Sequence, residues 1–279
     1  MKRQCIVILV EGKSDYTIVY KIINAYKKIL PKIGTPIIKV FYKPKEGDCL
    51  TKRDEKTQKY RLEQECLDLI AERIDFFLDT WISNETSMRL EDITAVWVLT
   101  DMDGVCISDS SIRINPDPKA VFNLTYTENE ILAKPDEKNN RDVVADAIDR
   151  NSRKRRNINY ILQGHDIRLK YDDDTVIVPI SIYYMSTNLE HVTVNIRQAE
   201  QDDKGKLAEQ WCNEIASNGP IVIKEFFSKL LPCKPAYERS WQYIMEYGTN
   251  RTLSRSSNFR LVLDRLESLS PDYGKKKRR

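Results

Sequence analysis

The sequence predicts an α/β protein with a compact parallel sheet flanked by helices, followed by a mainly helical C-terminal extension. Three observations predict this class. Short apolar runs of strand length alternate with amphipathic helical patterns through the first third of the chain. The segments between these runs are long enough for crossover helices, which parallel pairing requires. Beyond residue 203 the patterns are mostly helical.

The first two strands and the helix between them form a predicted β-α-β unit. Residues 5–10 are apolar, largely β-branched and bounded by a Glu-Gly turn, as expected of a buried strand. A helix follows, capped by Ser14 or Asp15, and its apolar residues keep helical spacing until Pro31 ends it. Residues 36–42 form the second strand. A right-handed crossover then places the two strands parallel.

The next segments extend the sheet. Residues 43–60 are charged and predict a loop, whereas residues 61–80 have the periodicity of a long amphipathic helix. Residues 93–99 are apolar almost without interruption. This pattern is typical of a central parallel strand that is covered on both faces.

Less regular patterns follow this third strand. After a weakly periodic stretch, a helix is expected over 141–149, capped by Asn139 or Asn140. Residues 175–184 form a fourth strand. Because Pro179 has no backbone N–H, we expect the strand to lie near an edge or to be irregular there.

The C-terminal part is predicted to be helical. We divide the chain into a first domain over 1–200 with inserted loops and helices, a helical part over 201–270 packed on it, and a basic disordered tail over 271–279. The helices are expected over 203–217, 220–231, 236–247 and 257–269.

Composition limits the function. The chain has 279 residues, 41% of them hydrophobic, so it can bury a full core. Its net charge is only +3, so any affinity for nucleic acid must come from local patches. Six cysteines without a Cys-x-x-Cys pair, together with two histidines, argue against structural zinc. We expect a cytoplasmic protein, because there is no signal-peptide pattern and no run long enough to cross a membrane.

Acidic residues lie where two predicted strands end. Glu11 and Asp15 follow the first strand, and Asp101 and Asp103 follow the third. Ligands bind at the carboxyl ends of parallel strands, so these acids converge on one crevice if the two strands are neighbours. Close carboxylates raise each other's pKa, and a hard cation such as Mg²⁺ removes the repulsion. The pattern predicts a Mg²⁺ site, in which Mn²⁺ could substitute.

Several of these residues also fit plainer roles. Asp15 could be a helix cap, and Asp101 could be a turn former. Glu190, which follows the fourth strand, is a further candidate metal ligand, and it fits a surface acid equally well. Lys13 could contact a phosphate of a substrate, or it could be a solvated surface charge.

Two basic segments are candidates for contact with a nucleic acid. Arg251 and Arg255 lie beside Ser256 and Asn258, and small polar residues at a helix start could bind phosphate. We take these four residues, with Lys13, as candidate substrate-binding residues. The run over 153–156 is also basic, and a run of like charges usually forms a solvated face.

The two acidic segments resemble the signature of the Toprim family. That signature has a Glu at the end of the first strand, an Asp one helical turn later, and Asp-x-Asp after the third strand. Here Val-Glu-Gly-Lys-Ser-Asp ends at Asp15, and Val-Leu-Thr-Asp-Met-Asp ends at Asp103. The resemblance implies a compact Toprim-like catalytic domain with Mg²⁺-dependent chemistry on phosphodiester bonds. It implies that Glu11, Asp101 and Asp103 are catalytic, as metal ligands or, for Glu11, as a general acid or base. It also implies that Asp15 and Glu190 bind metal.

Within that family the chain resembles the RloB, AriB and OLD-type nucleases of phage-defence systems. It has neither the zinc-finger cysteines common in primases nor the size of a topoisomerase. The resemblance implies an endonuclease acting on RNA such as tRNA, or on DNA, as a toxic effector restrained by a partner ATPase of the ABC or AAA type. The chain has no phosphate-binding loop of its own for ATP. The chain could form a homodimer. The alternative function is a different phosphoryl-transfer activity, either primase-like or nucleotide-processing.

Overall fold

A mixed, mostly parallel sheet flanked by helices forms the centre of the computed structural model, which describes residues 4–30, 36–44, 47–52, 61–84, 88–136 and 142–269. In chain order the strands are β1 (Cys5–Leu9), β2 (Ile37–Phe41), β3 (Ile93–Asp101), β4 (Ile112–Ile114), β5 (Leu124–Tyr126), β6 (Ile131–Ala133), β7 (Asp166–Tyr171), β8 (Asp174–Ser186) and β9 (Ser256–Ser257). The helices are α1 (Lys13–Lys27), α2 (Gln64–Asn84), α3 (Val143–Leu162), α4 (Leu189–Val194), α5 (Gln201–Glu214), α6 (Pro220–Leu230), α7 (Tyr237–Ile244) and α8 (Phe259–Ser268).

The main sheet has the strand order β2-β1-β3-β8-β7, and β9 pairs with the end of β8. The pairs β1–β2, β1–β3 and β3–β8 are parallel, whereas β7 and β9 pair antiparallel with β8. The predicted parallel pairing of the first two strands is therefore confirmed. Strands β1 and β3 are neighbours, which is the condition for their acidic ends to meet.

Strand β8 changes its partner along its length. Its first half pairs with β7, in a register where Pro179 lies opposite Asp166. Its pairing with β3 begins at Ile180. Pro179 thus lies where β8 has one neighbouring strand, in keeping with the edge position that its missing N–H predicted.

Two caps expected from the sequence are corrected by the structure. Gly12, not Ser14 or Asp15, precedes the first helical residue of α1, and its N–H donates to the Asp15 carboxylate at 2.8 Å. Asp142 caps α3 by accepting from the backbone N–H of Ala145 at 3.0 Å. The alternative caps Asn139 and Asn140 lie outside the described residues.

Helix α3 continues to residue 162 instead of ending near 149, and it includes the basic run 153–156. The sequence hides this continuation because the buried face of the helix is partly polar: Asn151, Lys154 and Asn157 are all nearly inaccessible to solvent. A search for apolar residues at helical spacing therefore finds a gap there. The strands β4 to β7 are also absent from the sequence predictions. Strands β4, β5 and β6 are three residues long and carry little alternation, whereas β7 has six residues that alternate between exposed and buried positions and so carried a usable signal.

Apolar cores cover both faces of the sheet. Successive side chains of a strand point to opposite faces, so Val7 belongs to the core shared with α2, and Ile8 belongs to the core shared with α1. Trp211 of α5 and Phe259 of α8 also lie in the second core. Helices α5, α6 and α8 therefore pack on the same face of the sheet as α1, whereas α7 contributes to the first core. The domain boundary near residue 200 stays a prediction, and the tail 271–279 lies outside the described residues. None of the helices in the described ranges is long and apolar enough to cross a membrane.

Gly104 shapes the turn after the Asp-x-Asp segment. Its φ is +70°, and a Cβ there would lie 2.8 Å from Cδ1 of Ile131 and 2.9 Å from Cδ2 of Leu253. We expect Gly104→Ala to lower the free energy of unfolding by about 1–3 kcal/mol, measured by urea denaturation. Gly205→Ala, in α5 with no atom within 4 Å of the new Cβ, is the matched control and should not destabilise. Equal losses in both variants would contradict this account of the turn.

Candidate active site

Glu11 is held over the end of the neighbouring strand β3. Its Oε1 accepts a hydrogen bond from Thr100 Oγ1 at 2.7 Å and another from the backbone N–H of Asp101 at 3.0 Å. Both donors belong to the last two residues of β3. The parallel pairing of β1 with β3 thus brings Glu11 and Asp101 to the same edge of the sheet.

Asp103 leaves this edge through a left-handed turn. Its φ is +50°, which is uncommon for a residue other than glycine, and Gly104 also has a positive φ. The turn is fixed on both sides of the residue. The Asp103 N–H donates to the Thr187 carbonyl at 2.9 Å, and the Arg150 guanidinium donates to the Asp103 carbonyl at 3.1 Å. The carboxylate is thereby directed toward α3.

Lys154 of α3 is fully buried and meets three acids. Its Nζ lies 2.8 Å from Asp48 Oδ2, 3.1 Å from Asp103 Oδ2 and 3.8 Å from Glu11 Oε1. A buried ammonium is tolerated only when paired in this way. Burial opposes its ionisation, but the three carboxylates outweigh that effect and raise the pKa of Lys154 well above its usual range.

Neither Lys154 nor Asp48 was predicted from the sequence as a residue of the site. The interpretation of the run 153–156 as a solvated face is wrong for Lys154, although the side chain of Arg156 is 57% exposed. One signal was available, since Lys154 is spaced at three residues from Asn151 and Asn157 and shares their helix face. Asp48 lies in a charged loop and carried no comparable signal.

A second group of charged residues lies on the other side of Glu11. Glu190 stands in the first turn of α4 and is only 4% exposed, so its interpretation as a surface acid is wrong. The Nζ of Lys204 in α5 lies 3.5 Å from Glu190 Oε1. Asp15 faces the same space from the first turn of α1.

These side chains surround an open crevice of about 420 Å³. It contains Glu11, Asp15, Asp101 and Glu190, whereas Asp103 lies outside its lining. The predicted residue Lys13 lies on its rim and is exposed. The residues that line the crevice are Glu11, Gly12, Lys13, Ser14, Asp15, Tyr42, Lys43, Pro44, Gly47, Asp101, Glu190, Gln201 and Lys204.

Two carboxyl groups of the crevice, those of Glu11 and Asp15, are difficult to ionise. Burial, followed by repulsion from Asp48, raises the pKa of Glu11 to about 8, against the opposing attraction of Lys154. Burial and the neighbouring Glu190 raise the pKa of Asp15 to about 7. These acids therefore hold protons at a pH where ordinary carboxyl groups are ionised.

The two acids of the Asp-x-Asp segment differ in their electrostatics. Burial, and then the charges of Glu11 and Asp15, raise the pKa of Asp101 well above its usual range. Burial acts in the same direction on Asp103, but Lys154 and Arg150 outweigh it and hold the pKa of that carboxyl below its usual value. The Asp103 carboxylate is thus already neutralised by the protein, and the Asp101 carboxylate is not.

The crevice fits a hard divalent cation in ligand type and in charge. Mg²⁺ prefers carboxylate oxygens and water, and the crevice offers four carboxylates. The Asp101 carboxylate has no hydrogen bond or ion pair within the described part of the chain. Among the same residues, however, no three His, Cys, Asp or Glu side chains are grouped as ligands of one ion. Three of these carboxylates could therefore hold one ion together only after their side chains rotate toward one another, whereas one or two of them with water would suffice for Mg²⁺.

The structure does not bring the predicted residues Ser256 and Asn258 to the crevice. Asn258 is fully buried: its Oδ1 accepts from the Tyr184 N–H at 2.7 Å, and its Nδ2 donates to Ser240 Oγ at 3.1 Å. Ser256 is 5% exposed. These residues attach the start of α8 to β8, and their contact with substrate stays a prediction.

The arginines of this segment also have structural partners. Arg251 Nη1 donates to the Tyr243 carbonyl at 3.0 Å and pairs with Glu246. Arg255 Nη2 donates to the Val192 carbonyl at 2.8 Å. Neither side chain lines the crevice. Arg251 therefore links the segment before β9 to α7, and Arg255 links it to α4. Neither arginine lies at the crevice, where we expected the substrate to bind.

The raised pKa of Glu11 predicts how stability changes with pH. Because the folded pKa of about 8 exceeds the unfolded value of 4.5, ionising Glu11 destabilises the folded state as pH rises between those values. Gln keeps the oxygen that accepts from Thr100 and from the Asp101 N–H. In EDTA we expect Glu11→Gln to unfold at a higher temperature than wild type at about pH 9, and at nearly the same temperature at about pH 5. A lower unfolding temperature at the higher pH would contradict the assignment.

The chain was also compared with known proteins. No family model, no curated protein and no solved structure matches it.

Proposed function

We propose that this protein is a Mg²⁺-dependent endonuclease of the Toprim type that hydrolyses phosphodiester bonds of RNA, such as tRNA, or of DNA. One observation supports this most: four carboxylates share a crevice at the carboxyl ends of three neighbouring parallel strands, β1, β3 and β8. Burial first, and then repulsion from neighbouring carboxylates, raises the pKa values of Glu11, Asp15 and Asp101. Such a crevice suits a divalent cation better than it suits a structural role.

A bound cation would also make the crevice compatible with a phosphodiester. Bare carboxylates repel a phosphate, and Glu11, Asp15, Asp101 and Glu190 would be the residues that hold the ion. Mg²⁺, or Mn²⁺ in its place, supplies charge stabilisation at the phosphate and lowers the pKa of water to give a nucleophile.

The residues of the chain contribute binding and proton transfer. Glu11 has an alternative role if Asp15, Asp101 and Glu190 alone hold the ion: a carboxyl group with a pKa of about 8 can accept or donate a proton near neutral pH, which suits general acid–base work. Its Oε1 is held by Thr100 and by the Asp101 N–H, so the carboxyl group has a fixed orientation. Lys13 and Lys204 on the rim would contact phosphates of the substrate, so binding should weaken as salt increases.

The resemblance to phage-defence nucleases also supports a cytoplasmic effector that a partner ATPase of the ABC or AAA type keeps inactive and then releases. Co-expression with an ATPase encoded beside this protein tests that part of the proposal. Growth arrest by the protein alone, relieved by the ATPase and absent in Glu11→Ala, is the expected result. Arrest by Glu11→Ala as well would exclude nuclease activity as its cause.

The function itself is tested by incubating purified protein with Mg²⁺ and a panel of tRNA, single-stranded DNA and duplex DNA. We expect cleavage of at least one of them, no cleavage in EDTA, and none by Glu11→Ala. Nucleotide incorporation on a template would instead indicate a primase-like enzyme. If no nucleic acid is cut, alone or with the partner ATPase, the proposal is wrong.

A further inference from the structure

Lys154 is held in place by the helix that carries it. On the same face of α3, Asn151 Nδ2 donates to the Gly104 carbonyl at 3.2 Å, and Asn157 Nδ2 donates to the Leu50 carbonyl at 2.9 Å. These bonds attach α3 to the turn after Asp103 and to the loop that carries Asp48. The ammonium is therefore a fixed positive charge built into the site, unlike that of a mobile surface lysine.

This fixed charge divides the acids of the site into two sets. Asp48 and Asp103 lie within 3.1 Å of the ammonium, and neither lines the crevice. Asp15, Asp101 and Glu190 line the crevice, and none of these three described residues forms an ion pair with Lys154. Glu11 stands between the sets: it lines the crevice, and its Oε1 lies 3.8 Å from Lys154 Nζ.

Two-metal phosphodiesterase sites hold their ions about 3.5–4 Å apart, with carboxylates around both. Here one such position, among Glu11, Asp48 and Asp103, already contains an ammonium. A second divalent ion at that position would have to displace a buried lysine that is paired with three acids. If the lysine stayed, its positive charge would repel the ion. The chain thus presents one cation position that can exchange and one that is permanently filled.

We infer that Lys154 takes the place of a second metal ion, an inference that rests on the proposed function. The crevice then binds one exchangeable divalent cation, and Asp103 is not among the ligands of that cation. Asp101 is a ligand, although it lies only two residues away. In the Asp-x-Asp segment, Asp101 then binds the metal ion and Asp103 pairs with Lys154. The left-handed backbone of Asp103 turns the two carboxylates toward these different partners.

The test is the number and affinity of Mn²⁺ ions bound, measured by equilibrium dialysis and by the electron paramagnetic resonance of free Mn²⁺. Wild type should bind one ion per chain. Asp101→Asn should weaken that binding at least about tenfold, since it removes a direct ligand. Asp103→Asn, the same substitution two residues away, should leave the dissociation constant within about threefold. Asn also tolerates the left-handed backbone at that position.

Each result separates this inference from the function on which it rests. Two Mn²⁺ per wild-type chain, or an equal loss of affinity in both variants, would overturn the role of Lys154 and leave the proposed metal-dependent function standing. No Mn²⁺ bound to wild type would overturn the proposed function, and this inference with it. The wild-type stoichiometry can overturn the inference without either variant, and circular dichroism checks that both variants fold before their affinities are compared.

Discussion

Replacing Lys154 with methionine is expected to lower the free energy of unfolding by about 3–5 kcal/mol at about pH 8. The substitution keeps an unbranched chain of similar length and removes the charge. It leaves Asp48, Asp103 and Glu11 as buried acids without the cation that pairs with them. The loss should be smaller at about pH 5, because the acids then take up protons instead of remaining charged.

Arg153→Met is the matched control for this experiment. Arg153 is the preceding residue of α3; its side chain is 32% exposed, and it pairs with Asp149, which is 43% exposed. Exposed ion pairs contribute little, so we expect a loss of at most about 1 kcal/mol. Urea denaturation at both pH values measures the two variants. Similar, small losses in both would show that Lys154 does not stabilise the acids as described.

The second large effect is on activity. Asp101→Asn is expected to reduce Mg²⁺-dependent cleavage by about 10²–10³-fold, because loss of a metal ligand removes several kcal/mol of transition-state stabilisation. The fold should be retained, since the bond from Asp101 to Glu11 is made by the backbone N–H, which the substitution keeps. The rate per enzyme at saturating substrate, with circular dichroism as the check on folding, measures this effect.

Asp109→Asn is the control for the loss of one acidic charge. Asp109 is exposed, lies in the same long connection after β3, and does not line the crevice. Its replacement should leave the cleavage rate unchanged within about twofold. If this variant lost as much activity as Asp101→Asn, net charge rather than metal binding would explain the effect.

The part of the fold that depends on local pattern could be predicted from the sequence. The apolar runs of β1 and β3 mark buried parallel strands, and the acids that follow them come to one edge because those strands are neighbours. What the pattern could not give is the difference between the two acids of Asp-x-Asp. That difference depends on the φ of Asp103 and on an ammonium from α3, which lies about fifty residues further along the chain.

Burial of polar residues is the other property that local pattern conceals. Lys154 and Asn258 are polar residue types that are usually exposed, so the residue type alone favoured an exposed position for both. Tertiary contacts decide otherwise, through Asp48 and Asp103 for the lysine and through the backbone of Tyr184 for the asparagine. Glu190 is a third case, because it is buried where α4 packs against α5 and pairs with Lys204 of α5.

The most direct test of the central claim is the rate of phosphodiester cleavage as Mg²⁺ is titrated into EDTA-treated wild type and Asp101→Asn. The account predicts that wild-type cleavage is absent without the ion and rises to saturation with Mg²⁺ or Mn²⁺. Asp101→Asn should require much more of the ion and reach a far lower rate. Cleavage by wild type in excess EDTA, or identical titrations for the two proteins, would contradict the assignment of this crevice as a metal-dependent active site.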